Sequence, residues 1–363
     1  GIKIIIRSNS SPSGWSKGII KQLMYKYLLK LADSIIVNSL DFQKEFKKIF
    51  NVKSICIYNP LNKKEIIQKS KKKAFDCLIP VSGGKDGSYI SYMVKEKYGM
   101  NPLCVTVKPP LSSKLGEDNL QSFIDSGYQH VSISPSTSGM QKLNKNGLIE
   151  IGMPYFGWLT AVHTAVLIVA IQYDIDLIIY GEDGELEYGG STDTWEQPFY
   201  NQDYQKKIYL EGGHNNMIEK ANLSDYEKYF YIYHSNQHNS SKIKLTHWSH
   251  FENWDPYRNY LIAKKYCGLK ESDTNNSGTF TNFGQTDQYL YPLHAYLMYL
   301  KFGFGRANQD ASIEIRRGAM DREQAKNLVE LYDGSYPEEF IDMYLDYYGM
   351  SKNEFDLLAI NFD

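Results

Sequence analysis

The stretch Leu78-Ile-Pro-Val-Ser-Gly-Gly-Lys-Asp-Gly-Ser-Tyr89 decides the fold of this chain. A mostly apolar run from Phe75 to Val81 leads into its glycine pair, and a helical pattern of apolar positions follows from Tyr89 to Val94. These patterns predict a buried strand, a glycine turn and a helix N-terminus. Because the first amides of a helix lie unpaired at the positive end of its dipole, such a turn is suited to bind an anion.

The residue types in the turn indicate which anion it binds. Gly83 and Gly84 let the backbone approach phosphate oxygens that a Cβ atom would block. Lys85 adds a positive charge, and Asp86 can hold Mg2+ through its carboxylate oxygens. The common phosphate loop has the pattern Gly-x-x-x-x-Gly-Lys-Ser/Thr, which is not the pattern here. The alternative is an ordinary glycine-rich turn without a ligand. This alternative is weaker, because the complete sequence of residues 82–88 follows directly after an apolar strand.

The order Ser-Gly-Gly-x-Asp-x-Ser at positions 82–88 resembles the pyrophosphate loop (PP-loop) of the N-type ATP pyrophosphatases, which include asparagine synthetase and GMP synthetase. The resemblance implies that ATP is cleaved between its α- and β-phosphates and that a substrate oxygen is adenylated. It makes Lys85 and Asp86 catalytic candidates. It also implies ATP-binding residues in the loop and at the end of the second strand: Ser82, Gly83, Gly84, Lys85, Asp86, Gly87, Ser88, Thr106, Val107 and Lys108.

Composition excludes several classes of function. The chain of 363 residues has 40 basic and 42 acidic residues, and a net charge of −2 gives no indication of a nucleic-acid or membrane partner. Its four cysteines are scattered without Cys-x-x-Cys spacing, so zinc ribbons are unsupported. No apolar run reaches membrane-spanning length, and we expect a cytoplasmic protein. Five of the six arginines lie in the last third of the chain. This clustering indicates either an anionic ligand in that region or a chance distribution of surface residues.

The order of predicted elements indicates three regions. Residues 74–240 alternate strands and helices, which predicts an α/β fold with a doubly wound parallel sheet of the PP-loop type. Residues 241–363 are predicted to be a mostly helical substrate region, and residues 1–73 a small α/β segment with a basic linker. Ligands bind at the carboxyl ends of strands in such sheets, so the Ser82 and Gly181 loops are expected to converge.

The N-terminal region has a resemblance of its own. The string Ala32-Asp-Ser-Ile-Ile-Val-Asn-Ser39, followed by a helix and by Ile57-Tyr-Asn-Pro-Leu61, resembles the segment that precedes the donor-binding domain in GT-B glycosyltransferases. The donor-binding domain itself has no counterpart in the sequence, so glycosyl transfer is not predicted. A structural appendage left by a gene fusion is the favoured interpretation.

A second candidate loop is Gly181-Glu-Asp-Gly-Glu-Leu-Glu-Tyr-Gly-Gly190, which resembles the acidic loop of asparagine-synthetase-type enzymes. In those enzymes an acidic residue shares Mg2+ with the Asp of the PP-loop, and carboxylates beside ATP are useful only if they hold metal or orient a nucleophile. Asp183 and Glu185 join Asp86 as candidate metal ligands, Glu185 is also a catalytic candidate, and Gly181 and Glu182 are assigned to ATP. The sequence leaves open which acid binds the metal, and an exposed acidic turn is the alternative.

The region from Asp76 to the C-terminus resembles the N-acetyl sugar amidotransferases of surface-polysaccharide and flagellin-sugar pathways, including the enzyme that makes acetamidino pseudaminic acid. The resemblance rests on the two loops, on His247-Trp-Ser-His-Phe251, on Tyr299-Leu-Lys-Phe-Gly-Phe-Gly-Arg306 and on Ile313-Glu-Ile-Arg-Arg-Gly318. It implies conversion of an acetamido group to an acetamidino group with ATP and Mg2+. The implied substrate contacts come from both the acidic loop and the C-terminal third: Glu187, Tyr188, His247, Arg306 and Arg316.

The expected partners follow from this family. The substrate is an N-acetylated sugar, and the absence of a recognisable glutaminase signature predicts a separate glutaminase subunit or free ammonia. Members of the family begin with a Cys-rich module, which the N-terminal region replaces here. Two alternatives stay open: a tRNA-modifying PP-loop ligase, which the charge balance and the scattered cysteines disfavour, and an inactive fusion that acts as a binding protein. The sequence does not indicate the oligomeric state.

Overall fold

The structure is a computed structural model that describes residues 3–8, 19–37, 40–56, 73–181, 198–209, 214–234, 242–252 and 254–362. The chain divides into two compact units. The first is formed by residues 1–63, 181–200 and 246–254, and the second by residues 64–180, 201–245 and 255–363. Most of both predicted regions 74–240 and 241–363 therefore belongs to the second unit.

The first unit contains a three-stranded parallel sheet, in the order β1-β2-β3. Its elements are β1 (Ile5–Ser8), α1 (Ile19–Lys30), β2 (Ser34–Val37), α2 (Leu40–Phe50) and β3 (Ile55–Cys56). The small core beneath the sheet is built from aliphatic and phenylalanine side chains: Leu29, Ile35, Val37, Phe42, Phe46, Phe50 and Val52. The apolar run from Ile2 to Ile6 predicts the first strand of this small α/β segment, and the structure places that strand slightly later, at Ile5–Ser8.

The second unit begins with alternating strands and helices. These are β4 (Cys77–Pro80), α3 (Lys85–Tyr92), β5 (Pro102–Val107), α4 (Lys114–Asp125), β6 (Gln129–Ile133), α5 (Thr137–Ile151), α6 (Phe156–Gln172) and β7 (Leu177–Tyr180). Residues Met93–Lys97 form a π-helical extension of α3. Strands β4 and β5 are almost entirely buried, and helix α6 is apolar on all sides and mostly buried, which is typical of a central layer.

The remainder of the chain is mostly helical. It contains α7 (Gln202–Tyr209), α8 (His214–Lys220), α9 (Asp225–Lys228), β8 (Lys244–His247), α10 (Pro256–Cys267), α11 (Leu290–Phe302), α12 (Arg306–Arg316), α13 (Arg322–Tyr332), α14 (Ile341–Tyr348) and α15 (Lys352–Ile360). Asp321 with Gln324 and Ser351 with Glu354 have the spacing that predicts a capping box, and the structure confirms both boxes.

The five-stranded sheet has the order β6-β5-β4-β7-β8. Strand β4 pairs in parallel with β5 on one side and with β7 on the other. The chain proceeds outward from β4 through β5 to β6 and then returns to the opposite side at β7. The carboxyl end of β4 is therefore a topological switch point, where open α/β sheets bind their ligands. The prediction of a doubly wound α/β fold is confirmed.

Several element boundaries differ from the sequence prediction for local reasons. The sequence pattern predicts a helix over residues 119–126, but α4 begins five residues earlier, at Lys114. Ser113 caps it there by accepting a hydrogen bond from the Gly116 amide at 2.9 Å. Helices α5 and α10 were not predicted. Their start signals are present in the sequence, as a Ser136 N-cap and as an Asp255 N-cap followed by Pro256.

Candidate active site

The predicted PP-loop connects the central strand β4 to helix α3. Gly84 is the N-cap residue of α3 and has an extended backbone, with φ of −74° and ψ of 176°. No side chain caps this helix. The first-turn amides of α3 are thus not taken by a capping group, which leaves an anion-binding N-terminus at the switch point of the sheet.

The glycines of the loop serve different purposes. Gly83 has φ of +83°, and a Cβ atom there would lie 2.4 Å from the backbone nitrogen of Leu120 in α4. A Cβ atom on Gly87 would meet the Val81 side chain at 3.0 Å. On Gly84 the nearest group would be only the Ser82 hydroxyl, at 3.3 Å. Gly83 is therefore required by packing within the protein, whereas a Cβ atom on Gly84 would meet only a hydroxyl that can rotate away.

A charged pair lies at the start of α3. The Lys85 ammonium pairs with Oδ2 of Asp86, and the two side chains are 11% and 22% exposed. The other carboxylate oxygen, Oδ1, accepts a 3.0 Å hydrogen bond from Nδ2 of Asn259, a fully buried residue of α10. The amide oxygen of Asn259 in turn accepts from Nη2 of Arg258 at 3.1 Å. This chain of contacts fixes the orientation of the Asp86 carboxylate from a helix that lies 173 residues away in sequence.

The two loop serines differ in accessibility. Ser82 is partly buried, at the turn itself. Ser88 is fully buried in α3, and its hydroxyl has no hydrogen-bond partner among the described residues. A buried hydroxyl without a partner costs about 1–3 kcal/mol, so a group that pairs with it on ligand binding would recover that free energy.

The predicted adenine-side residues are partly engaged by the protein. Thr106 donates a 2.7 Å hydrogen bond to the Val81 carbonyl, and its hydroxyl lies 2.8 Å from Nε2 of His130. Trp158 donates from its indole nitrogen to the Val107 carbonyl at 3.0 Å. The amide of Lys108 donates to Ile133 at 2.8 Å. Thr106 thus ties the ends of three neighbouring strands together, while the exposed Lys108 side chain is directed towards solvent.

A segment from the C-terminal region docks beside the loop. Ser113 bonds to this segment twice: its amide donates to the Asp287 carbonyl at 3.1 Å, and its hydroxyl donates to the Thr286 carbonyl. Gly116 allows the contact, because a Cβ atom there would lie 2.4 Å from the Asp287 Cα. Burial raises the pKa of the Asp287 carboxyl to about 6, and the positive charge of Lys85 acts in the opposite direction. Asp287 is thus a buried acid within electrostatic range of the PP-loop lysine.

The predicted substrate residues occupy different environments. In the first unit, His247 is buried, stacks on Tyr200 with ring centroids 5.3 Å apart, and lies 3.3 Å from its hydroxyl. In the second unit, Arg306 pairs with Asp310 at 2.9 Å, and Arg316 is exposed at the end of α12. Gly181 directly follows β7. The remaining predicted residues lie outside the described part of the chain: Glu182, Asp183, Glu185, Glu187 and Tyr188.

Within the described residues, no three His, Cys, Asp or Glu side chains cluster closely enough to hold a metal ion. Mg2+ does not require such a cluster, because it commonly binds one or two carboxylates together with substrate phosphates and water. The Asp86 carboxylate, which is partly exposed at the loop, fits that mode of binding. No helix among the described residues is long and apolar enough to cross a membrane.

Known proteins are similar to parts of this chain. Residues 277–362 match the family model of the LPS biosynthesis protein WbpG-like, C-terminal domain. A solved structure of NMN synthetase from Francisella tularensis is similar over 59% of this chain and 89% of its own, with 12% sequence identity and a TM-score of 0.24. No curated protein matches the chain by sequence.

Sequence analysis missed Asn259 and Asp287. The matched C-terminal stretch includes Asp287 and the helices that follow it. The Asp255-Pro256 signal could have located α10, but no local pattern indicates that Asn259 meets Asp86. Both residues reach the loop only through tertiary packing.

Proposed function

We propose that this chain is an ATP-dependent amidotransferase of the PP-loop type that converts an N-acetyl group of a bacterial surface sugar to an acetamidino group. The observation that carries the proposal is the uncapped N-terminus of α3 at the sheet's switch point, with Lys85, Asp86 and the unpartnered Ser88 hydroxyl beside it. The match of residues 277–362 to a lipopolysaccharide-biosynthesis domain supports a sugar as substrate, with a nonulosonic acid or a related sugar as the favoured class.

An amide oxygen is a poor leaving group, so the reaction needs ATP to activate it. The amide oxygen of the N-acetyl group attacks the α-phosphorus, and the bond from that phosphorus to the bridging oxygen breaks. Pyrophosphate leaves with the bonding electrons. Ammonia then adds to the imidate carbon, a proton leaves the nitrogen, and cleavage of the C–O bond releases AMP with the former amide oxygen. The product retains both nitrogens as an acetamidino group.

The loop residues have distinct parts in this scheme. Amides of Gly83 to Ser88 stabilise the charge that develops on the departing pyrophosphate, and Ser82 adds a further donor. Lys85 exchanges its contact with Asp86 for a phosphate oxygen. Mg2+, when bound, neutralises charge on the phosphates, and Asp86 with Asp183 or Glu185 would hold it. Asn259 keeps the Asp86 carboxylate in place during this exchange.

The remaining assignments of the proposal concern the substrates. Gly181, Glu182, Thr106, Val107 and Lys108 are the candidate nucleotide contacts, and the Thr106 hydroxyl also holds the end of β4. Glu187, Tyr188, His247, Arg306 and Arg316 are the candidate sugar contacts. Ammonia comes from a separate glutaminase subunit or from solution.

The test is release of AMP and pyrophosphate from ATP-Mg in the presence of ammonium, across a panel of N-acetylated nonulosonic acids and nucleotide-linked N-acetyl sugars. Asp86→Asn should lower sugar-dependent turnover by at least about a hundredfold. Asp118→Asn, which changes an exposed acid on α4 that pairs with Lys114, is the matched control and should leave turnover unchanged. Turnover that no sugar stimulates but a tRNA does would assign the chain to the RNA-modifying ligases. If the chain binds ATP but releases no AMP or pyrophosphate, either with ammonium or with added glutaminase, the proposal that it is an enzyme is contradicted.

A further inference from the structure

The net charge of the chain conceals a strong asymmetry. Residues 1–73 contain 16 Lys and Arg but only four Asp and Glu, a net charge of +12, whereas residues 74–363 carry −14. The expectation of no membrane partner rested on the whole-chain balance, which averages these two opposite regions. Strong charge asymmetry of this kind is typical of proteins that meet an anionic surface through one region.

Helix α1 of the first unit has an unusual distribution of apolar side chains. Six large apolar residues on or directly after it are 47–83% exposed: Ile20, Leu23, Met24, Tyr27, Leu28 and Leu31. A helix of a globular domain normally directs such residues to the core. In α1 the buried residue is Leu29, at 4% exposure, which belongs to the small core of the first unit.

The spacing of these residues forms a continuous stripe. Ile20, Met24, Tyr27 and Leu31 recur at intervals of four, three and four residues, which places them on one side of a helix with 3.6 residues per turn. Leu23 and Leu28 widen this stripe. At 100° per residue, Leu29 falls on the opposite side, so the stripe is directed away from the core that Leu29 joins.

Lysines border the stripe on both sides. Lys21 lies along one edge, and Lys26 and Lys30 lie along the other, while residues 19–30 contain no Asp or Glu. A second copy of this helix would bring like charges together, which opposes self-association through the stripe. A surface with an apolar interior and a negatively charged boundary is complementary to both the apolar stripe and the lysines beside it. Long lysine side chains can extend from the stripe to such a boundary.

We propose that α1 is an interfacial helix that docks the chain on an anionic membrane surface. The apolar stripe enters the boundary between the lipid headgroups and the acyl chains, and Lys21, Lys26 and Lys30 contact anionic headgroups. This inference goes beyond the proposed function and does not depend on it, since it rests only on residues of the first unit.

The test is co-sedimentation of the full chain with phosphatidylcholine vesicles that contain either none or about a third phosphatidylglycerol. We expect binding to the anionic vesicles, weak binding to neutral ones, and release at high salt, because screening weakens attraction between surface charges. The double variant Leu23→Asn with Tyr27→Asn and the triple variant Lys21→Gln, Lys26→Gln, Lys30→Gln should each lower the partition coefficient by at least about tenfold.

The matched control is Leu331→Asn on α13, which changes a leucine that is 68% exposed in the second unit and should leave vesicle binding unchanged. Circular dichroism and thermal unfolding of each variant show that the fold is retained. Binding that is equal on neutral vesicles, or absent from both kinds, overturns the proposal. Loss of self-association in the Leu23 and Tyr27 variant, without any vesicle binding, would instead assign the stripe to an interface between copies.

Discussion

Asn259 donates a 3.0 Å hydrogen bond to Oδ1 of Asp86, and this contact links the loop at the end of the central strand to helix α10. Lys85 occupies the other carboxylate oxygen, so Asp86 is held from both sides. A carboxylate that must receive a metal ion benefits from a fixed orientation, because partners around a ligand determine its geometry and affinity. Asn259 is therefore a positioning residue for Asp86 in the proposed reaction.

Replacement of Asn259 should affect metal-dependent nucleotide binding more than nucleotide binding alone. We expect Asn259→Ala to weaken binding of ATP in the presence of Mg2+ by about tenfold, while binding of ATP with EDTA changes little. Isothermal titration calorimetry under both conditions measures the difference. Gln121→Ala, which removes an exposed side-chain amide on α4, is the control. An equal loss with and without Mg2+ would show that Asn259 acts only through the fold.

The two loop glycines should respond differently to alanine. Gly83→Ala combines φ of +83° with a contact of 2.4 Å to backbone, and we expect it to lower the free energy of unfolding by about 3 kcal/mol or more. Gly84→Ala meets only the Ser82 hydroxyl and should leave stability within about 1 kcal/mol, while it weakens ATP binding by obstructing phosphate. Urea unfolding and ATP titration of both variants separate these effects. Retained ATP affinity in Gly84→Ala would argue against phosphate binding at the loop.

Local patterns were sufficient to predict the frame of the site. The apolar run before Ser82, the glycine pair and the helical spacing after it are all adjacent in sequence. The apolar run from Leu177 to Tyr180 likewise predicts a strand, and β7 has these bounds. The parallel pairing followed from the alternation of strands and helices, since a helix between two strands returns the chain to the same end of the sheet.

The supporting contacts of the site could not be predicted in this way. Asn259 and Asp287 reach the loop from regions far along the chain, through packing of α10 and of the segment after residue 285. Thr106 shows the same limit, because the sequence does not indicate that its hydroxyl bonds to Val81 and His130. Where a side chain has several possible hydrogen-bond partners, the tertiary structure determines which of them it contacts. Composition and spacing do not give that information.

Asp287 provides a prediction about pH. Its pKa is raised to about 6 by burial, above the usual value of 3.8, so the folded state binds its proton more tightly than the unfolded state does. The stabilisation of the folded state that results from this tighter proton binding is fully present below pH 3.8 and is lost as the pH rises through 6. Asp287→Asn removes this dependence. Relative to the unsubstituted chain, the variant should therefore gain about 1 kcal/mol in free energy of unfolding between pH 5 and pH 7.5.

Urea unfolding at the two pH values measures this gain, with Asp118→Asn as the control that should show none. A constant difference between Asp287→Asn and the unsubstituted chain would mean that Asp287 titrates normally. If the acid also acts in the reaction through its proximity to Lys85, the more stable Asp287→Asn variant should have lower turnover, which is the usual relation between stability and activity at a strained site.

Arg306 and Arg316, the two arginines proposed to contact the sugar acid, should differ in how much their replacement lowers the free energy of unfolding. Arg306 pairs with Asp310, which is 9% exposed and also accepts a 2.5 Å hydrogen bond from Thr279. Arg306→Ala leaves that carboxylate buried without its cation, and we expect a loss of about 3 kcal/mol in the free energy of unfolding. Arg316 is exposed, so Arg316→Ala should change stability by no more than about 0.5 kcal/mol.

A stable Arg316→Ala variant makes the substrate test direct. If Arg316 contacts the carboxylate of the sugar, the variant should raise KM for an acidic N-acetyl sugar by about tenfold and leave KM for ATP unchanged. The control is Arg322→Ala, which changes another exposed arginine at the start of the next helix, α13. Unchanged KM for every sugar in Arg316→Ala would remove Arg316 from the site. Sugar recognition would then rest on Arg306, whose role is tested with Arg306→Lys, because lysine preserves the charge beside Asp310 but lacks the planar fork that binds a carboxylate in two places.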